Sequence, residues 1–197
     1  MESMSKSEIH LIERVQRNFV QKIHGVHHLN YWQQLRHLSL YSQERRRERY
    51  MIIYTWKILE GLVPNIGLGK DITSTKSRRG RLCVQRYASR STPQDIQNIV
   101  DSSFSVRGPM LFNVIPKHIR DLSSKKVSVD GFKKALDEYL ALVPDEPQIR
   151  GYTAMRQADS NSLVDMHHIA KAQLRSQLEE RRDLSDVSGR CPQTPRE

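Results

Sequence analysis

The chain has 197 residues, of which 37% are hydrophobic and 27% charged, and its mean hydropathy is −0.65. This composition is typical of one globular domain and excludes both a polytopic membrane protein and a wholly disordered chain. The net charge of +10 and the pI near 9.8 favour contact with polyanions, because clustered lysines and arginines displace counterions from phosphate backbones.

The first predicted element is a helix over about 7–24. Ser5 and Glu8 have the spacing of a capping box, and Gly25 is a suitable stop. Between them, apolar residues recur at helical intervals. These residues are Ile12, Val15, Phe19 and Ile23.

Two further helices follow, each with a cap that the sequence indicates. Asn30 and Gln33 repeat the capping-box spacing before a short helix over about 31–39. Ser42 can cap a long helix over about 43–60, and Gly61 marks its end.

The long helix opens with the arginine-rich stretch SQERRRERY, which allows two interpretations. On a helical wheel Arg46 and Arg47 point away from the apolar side, while the stems of Arg45 and Arg49 can cover that side with their guanidinium groups in water. The spacing favours the solvated first turns of a core helix. The alternative is a nucleic-acid contact, for which Arg46 and Arg47 are the candidates.

After Pro64 the chain is predicted to form a basic loop, followed by a strand over about 82–87 and a turn at Thr92-Pro93. Residues 94–102 are ambiguous. From Phe104 the pattern predicts a second strand, a corner at Gly108-Pro109 and a brief helical turn that ends at Pro116.

The last predicted core element is a helix over about 130–142 with Asp130 as its N-cap. Its apolar face consists of Phe132, Leu136, Tyr139 and Leu140. The expected fold is mainly α (α+β), a compact helical domain over 1–144 with a small strand pair. Residues 145–197 are expected to be a linker, one lone amphipathic helix over about 163–178 and a disordered end.

The leading candidate site is the segment KDITSTKSRRGRLCVQRYASR, which has seven basic residues against one acidic residue, Asp71. Cations in a Gly/Ser/Thr loop can bind phosphates, and a nearby aromatic ring can stack on a base. The alternative is a solvated loop without a ligand. The candidate residues are Lys70, Lys76, Arg78, Arg79, Arg81, Arg86, Tyr87 and Arg90.

Other kinds of site are not indicated. Cys83 and Cys191 form no CxxC or CxxH pattern, so neither a disulfide framework nor a zinc site is expected. The adjacent pairs His27-His28 and His167-His168 lack further ligands at a suitable spacing. The expectation is no metal, no cofactor, no small-molecule substrate and no membrane partner, in a protein of the nucleus or cytoplasm without a signal peptide.

The order of these pieces resembles one family. The stretch ERVQRNFVQKIHGVHHLNYWQQLRHLSLYSQERRRERYMIIYTWKILEG looks like the segment after the polymerase core in reverse transcriptases of non-LTR retrotransposons, the jockey-like and related LINE elements. Those proteins have a block of the form ERVQRR…I.G…L.Y..RL..L.L..LE.RR.R.D...VYKILNG. Matching positions here are Glu13, Arg14, Val15, Gln16, Arg17, Ile23, Gly25, Tyr31, Leu35, Leu38, Glu44, Arg46, Arg47, Lys57, Ile58, Leu59 and Gly61.

The resemblance continues to about residue 140. RRGRLCVQRYASR is similar to the family's TRG..L.....RT strand, FSVRGPMLFNVIPKHIRDL to its FS.RG..LWN.LP..IR stretch, and SVDGFKKALDEYL to its closing S...FK..LD.YL. Trp56, Glu60 and Phe112 depart from the family's usual Tyr, Asn and Trp. These changes of packing residues are tolerable.

The resemblance implies a fragment without either active site of the family. The Tyr-x-Asp-Asp hairpin that would hold two metal ions for RNA-directed DNA polymerisation is absent from the sequence, as is the endonuclease domain. The expected function is therefore non-catalytic, nonspecific binding of RNA or DNA. The alternatives are a module that docks a separate polymerase domain or another protein, through apolar grooves and the 163–178 helix, and a relic with no selected activity.

Overall fold

The computed structural model describes residues 6–65, 68, 82, 84, 92–147, 149–150 and 159–167. This part of the chain is mainly helical, and residues 163–167 are also helical. In chain order the other helices are α1 (Lys6–Val20), α2 (Tyr31–His37), α3 (Gln43–Leu59), α4 (Gln94–Ser102), α5 (Phe104–Val114), α6 (Lys117–Arg120) and α7 (Val129–Leu140).

Helix α1 ends at Val20, four residues before the predicted end. The amides of Lys22 and Ile23 bond to carbonyls only three residues back, which tightens the chain into turns. Gly25 follows with φ +89°, in the left-handed region that favours glycine. Val20 at the end of α1 packs with Tyr31 and Leu35 of α2 in a small second cluster.

The predicted caps of α2 and α3 are confirmed. Asn30 accepts from the amide of Gln33 at 2.8 Å, and the Gln33 side chain accepts from the amide of Asn30 at 3.1 Å. Ser42 Oγ accepts from the amide of Arg45 at 3.1 Å. After α3, Gly61 takes a positive φ of 71° and closes the helix end.

Helix α3 lies at the centre of the fold. Ile52 and Trp56 are almost fully buried on its apolar side. The Trp56 ring stacks on Phe132 of α7 with centroids 4.4 Å apart, and its Nε1 donates to the carbonyl of Leu122 at 2.7 Å. The most extensive helix contact of the described part is between α3 and α5.

The predicted strand and corner at the start of 104–116 are wrong, because Phe104–Val114 is the single helix α5. Gly108 and Pro109 both lie inside it and are buried. Pro109 removes one backbone hydrogen-bond donor from the helix, which disfavours it. The burial of Val106, Leu111 and Phe112 offsets this cost. The ambiguous residues before it form helix α4.

The predicted small strand pair is not supported. Leu82 and Val84 are not in a strand, and the remainder of 82–87 lies outside the described residues. Leu82 is instead bound by Asn113 of α5, whose Oδ1 accepts from the amide at 2.7 Å and whose Nδ2 donates to the carbonyl at 2.9 Å. Elsewhere, Ile149–Arg150 (β1) pairs with Asp159–Ser160 (β2) in a two-residue antiparallel ladder.

Helix α7 begins one residue before the predicted start, and its N-cap is Ser128 rather than Asp130. Ser128 Oγ accepts from the amide of Gly131 at 3.1 Å. Asp130 sits in the first turn, where its carboxylate is 2.9 Å from Lys133 Nζ. The predicted apolar face is confirmed, because all four of its residues are buried.

Residues 163–167 are not part of a lone helix. Leu163 and Met166 are fully buried and belong to the same core cluster as Ile52 and Trp56. Residues 168–178 of the predicted helix lie outside the described part. The physical reason for the error is that an amphipathic pattern shows that a face will be covered, but not what covers it.

Candidate nucleic-acid interface

Most of the predicted phosphate-binding residues lie outside the part that the structure describes. These are Lys70, Lys76, Arg78, Arg79, Arg81, Arg86, Tyr87 and Arg90. Arg46 and Arg47 are described, and both lie in the first half of α3. Whether α3 can contact a nucleic acid therefore depends on which of its arginines are buried in the core and which lie at the surface.

Arg45 is a core residue. Its side chain is fully buried, and its Nη2 donates to the carbonyls of Pro144 at 2.9 Å and Asn161 at 3.1 Å. Asp145 lies 3.6 Å from its Nε. The predicted position of this guanidinium group in water is therefore wrong. Arg45 joins α3 to two later segments and is unavailable to a ligand.

Arg49 is also bound within the fold. Its Nε and Nη2 donate to the two carboxylate oxygens of Asp137 on α7, at 2.6 and 2.7 Å. Such a two-bond arrangement is the strongest form of an arginine–carboxylate pair. The hydrogen bonds to Asp137 raise the pKa of Arg49. The guanidinium group that was expected in water holds two helices together.

A third side of α3 carries Glu44 and Glu48, which bind Arg107 of α5. The buried Glu48 also accepts from Ser162 Oγ at 2.6 Å and from the amide of Leu163 at 2.8 Å. Burial by itself lowers the pKa of Arg107, but the charges of Glu48 and Glu44 outweigh burial and leave this pKa above its usual value. Glu48 therefore anchors residues 162–163 from a distant part of the sequence.

The remaining side of α3 combines half-buried cations with two exposed aromatic rings. We call it the α3 ridge, and its residues are Arg46, Arg47, Tyr50, Tyr54 and Lys57. Spacings of three, four and seven residues place them along one side of the helix. Tyr50 is 56% exposed and Tyr54 is 38% exposed, so both rings present a surface to solvent.

The cations of the α3 ridge are held loosely. Arg47 lies 3.6 Å from Glu44, too far for a hydrogen bond, and the two side chains are 31% and 14% exposed. Arg46 makes no ion pair within the described residues. The charge of Lys57 attracts the carboxylate of Asp130 only weakly. The pKa of Asp130 is lowered mainly by Lys133 and to a smaller extent by Lys57. A phosphate could therefore replace weak partners at modest cost.

The rings of the α3 ridge are partly positioned by neighbours. The guanidinium carbon of Arg49 lies 5.9 Å from the centroid of the Tyr50 ring. Tyr54 meets Phe104 of α5 edge to face at 5.4 Å. Tyr50, Tyr54 and Lys57 were not among the predicted site residues, although their spacing from Arg46 and Arg47 placed them on the same side of the helix.

The described ranges also bear on metal binding and membrane insertion. No group of three or more His, Cys, Asp or Glu side chains there is arranged to hold a metal ion. Within the same ranges, every helix is too short or too polar to span a bilayer. Asp137, one of an adjacent acidic pair with Glu138, is bound by Arg49.

Comparisons with known proteins add no relative. No family model matches this chain, and no curated protein or solved structure shows significant similarity to it.

Proposed function

We propose that this chain is a non-catalytic module that binds single-stranded RNA or DNA through the phosphate backbone. The observation that carries this proposal is the α3 ridge, where three cations flank two exposed tyrosines on one helix side. Cations follow the backbone and rings stack on bases of any sequence, so the binding would be nonspecific. The basic segment from Lys70 to Arg90 would add further phosphate contacts.

The proposal includes the family resemblance. In a whole element of the non-LTR retrotransposon type, such a module would hold template RNA or target DNA beside the polymerase core. The fragment would work in the nucleus or the cytoplasm, and the polymerase chemistry would belong to another chain segment. This part rests on sequence motifs from Glu13 to Leu140.

The competing proposal of protein docking through the 163–178 helix is weakened. Leu163 and Met166 belong to the apolar side of that predicted helix, and both are fully buried in the core of this chain. A docking partner could reach them only if they left the core, at a cost of several kcal/mol.

The test is binding of a fluorescent single-stranded RNA and the matching DNA to the full chain across a salt series. Replacing Arg46, Arg47 and Lys57 by Gln should weaken binding at least about tenfold at low salt. It should also reduce the slope of log K against log salt by about 2, because each phosphate contact to a single strand contributes about 0.7.

The matched control removes three positive charges elsewhere, by replacing the exposed Lys125, Lys126 and Lys134 with Gln. It should retain most of the binding. Equal losses in both variants would show that net charge alone holds the nucleic acid, and would contradict the assignment of the α3 ridge. Absence of binding by the unmodified chain at low salt would contradict the function itself.

The tyrosines give a separate readout. Tyr50→Leu/Tyr54→Leu should weaken binding at least about fivefold without changing the salt slope, because stacking contributes about 1–3 kcal/mol per base and releases no counterion. In parallel, Ala at Lys76, Arg78, Arg79 and Arg81 should reduce the salt slope. An unchanged slope would remove that loop from the interface.

A further inference from the structure

Helix α1 has a second apolar side that is exposed in the part of the fold that the structure describes. We call it the α1 stripe, and its residues are Leu11, Ile12, Val15 and Phe19. They are 59%, 41%, 69% and 68% exposed, respectively. The residues that α1 buries, Gln16 and Val20, lie on a neighbouring side that packs against α2 and α3.

Four large apolar side chains on one side of an exposed helix are unusual for an isolated protein. Scattered single apolar residues are normal on surfaces, but a contiguous patch indicates an interaction site. The spacing of Leu11, Val15 and Phe19 is the i, i+4, i+8 pattern with which an amphipathic helix contacts another helix or a groove.

The charges around the α1 stripe indicate which partner fits. Glu8 lies seven residues before Val15, and Lys22 lies seven residues after it, in the turn that follows α1. Both side chains are exposed. Leu11 and Phe19 are likewise four residues before and after Val15. When the stripe is reversed end to end about Val15, the opposite charges of Glu8 and Lys22 exchange places and so do the apolar Leu11 and Phe19, whereas Ile12 exchanges with the polar Asn18.

We propose that the α1 stripe binds a second copy of this chain, with the two α1 helices antiparallel and a two-fold axis at Val15. Leu11 of each copy would then pack against Phe19 of the second copy, and Glu8 would lie beside the second copy's Lys22. In a two-fold interface each contact occurs twice, so both ends of the stripe are satisfied. A parallel arrangement would instead place Glu8 beside Glu8.

The dimer should be weak and reversible. Two single helices bury less than the roughly 1,200 Å² that stable, specific interfaces exceed. A dissociation constant on the order of micromolar or weaker is expected for an interface of that size. This inference does not depend on the proposed nucleic-acid binding, because its measurements are made on the chain without nucleic acid.

The first experiment is sedimentation equilibrium of the full chain from about 1 to about 500 µM, a range chosen to bracket the expected affinity. The unmodified chain should change reversibly from monomer to dimer. Val15→Glu should remain monomeric throughout, because it places two like charges at the axis. The control Ala141→Glu adds the same charge at an exposed position at the end of α7 and should dimerise normally.

The second experiment reverses the charges. Glu8→Lys and Lys22→Glu should each weaken the dimer several-fold, because like charges then meet at both ends of the stripe. The double variant Glu8→Lys/Lys22→Glu should restore the affinity of the unmodified chain. The measurements are made at low salt, where exposed charges act over longer distances.

Several outcomes would overturn the proposal. They are a chain that stays monomeric at every concentration, a dimer that survives Val15→Glu, and a double variant that remains as weak as the single ones. Capture of a different protein by the α1 stripe, without dimerisation, would assign this face to another partner. Val15 is exposed, so the unfolding midpoint of Val15→Glu should match that of the unmodified chain and exclude misfolding.

Discussion

Neighbouring arginines on one helix have different roles in this protein. Arg45 is fully buried and bonds to two backbone carbonyls, whereas Arg46 lies on the α3 ridge without an ion pair in the described residues. The residue type is the same, and the difference is a rotation of about 100° around the helix axis. Charge counts along the sequence therefore overstate the cations that α3 can offer to a ligand.

At the residue scale, Ser39 is a site where stability can be gained. It has φ +54° after the end of α2, and the amide of the next residue, Leu40, bonds to the carbonyl of Leu35 at 2.8 Å. A left-handed conformation is unfavourable for residues with a Cβ atom. Ser39→Gly should raise the free energy of unfolding by about 0.5–1 kcal/mol in urea titrations. Ser39→Val should lower it, and the opposite order would contradict this explanation.

A second residue-scale prediction concerns alkaline pH. Burial raises the pKa of Tyr139 to about 12, with a small opposing effect from Arg45. The stabilisation is complete below pH about 10, where the tyrosine of the unfolded chain is still protonated, and is lost as the pH rises towards 12. Between pH about 10 and 12, the free energy of unfolding should fall less in Tyr139→Phe than in the unmodified chain. The difference between the two decreases should reach up to about 2 kcal/mol.

The control for this prediction is Tyr54→Phe, which changes a tyrosine that is 38% exposed. Its dependence on pH should follow that of the unmodified chain. Equal slopes for Tyr139→Phe and the unmodified chain would show that titration of Tyr139 is not linked to unfolding. Stability at each pH is measured by urea unfolding followed by circular dichroism.

At the element scale, α5 shows how packing can override local preference. Gly108 and Pro109 both disfavour a helix interior, and they led to the prediction of a corner. The helix forms nevertheless, because its apolar residues are covered by α3. Gly108 also has a positive role, since it permits close approach of the two helices. A Cβ atom built there would lie 2.9 Å from Oγ1 of Thr55.

Gly108→Val should therefore destabilise the protein by about 1–3 kcal/mol, the usual range for overpacking a core. Gly108→Ala tests the contact itself. Thr55→Ala removes the atom nearest to the new Cβ. In that background, Gly108→Ala should therefore cost at least about 0.5 kcal/mol less unfolding free energy than it does in the unmodified chain. Strict additivity of the two substitutions would show that Thr55 does not limit the approach of the helices.

Helix α1 illustrates the limit of periodicity at the same scale. The repeat of Ile12, Val15 and Phe19 correctly predicted a helix, but these residues are exposed in the single chain. The side that α1 packs inward carries the polar Gln16, whose Nε2 donates to the carbonyl of Tyr41 at 2.9 Å. An apolar stripe thus indicates that something covers it, and a second copy of the chain satisfies this requirement as well as a core does.

At the scale of the whole molecule, residues from far along the chain complete the core. Ser42 donates from its amide and its hydroxyl to Asp145, at 2.6 and 2.7 Å. Leu163 and Met166 fill the core, and Glu48 holds the segment before them. The packing of one core thus continues past the predicted domain end at residue 144.

The corresponding prediction compares two truncated chains. A chain that ends at residue 167 keeps Leu163 and Met166, whereas one that ends at residue 147 leaves two core positions empty and removes two donors from Glu48. The shorter chain should lose at least about 4 kcal/mol of unfolding free energy relative to the longer one. Equal stability, measured by urea unfolding, would show instead that residues 1–147 form an independent unit.

Local signals predicted the helices best where a cap or a clear apolar face was present. Asn30 and Ser42 cap the helices for which they were chosen, and the buried face of α7 contains the four predicted residues. Of the candidate site, Arg46 and Arg47 were assigned to the outward side of α3. The burial and pairing of Arg45 and Arg49 could not be predicted from the sequence of α3, because their partners Asp145 and Asp137 are about 90–100 residues away.

The sequence by itself determined the helical character of this protein, its basic charge and several helix ends, because these depend on residues within a few positions of one another. Only the tertiary structure decided which arginines are buried, that Phe104 begins a helix, and that Leu163 belongs to the core. Those outcomes depend on pairing between distant segments. In each case the free energy of packing and of buried ion pairs exceeds the local preference.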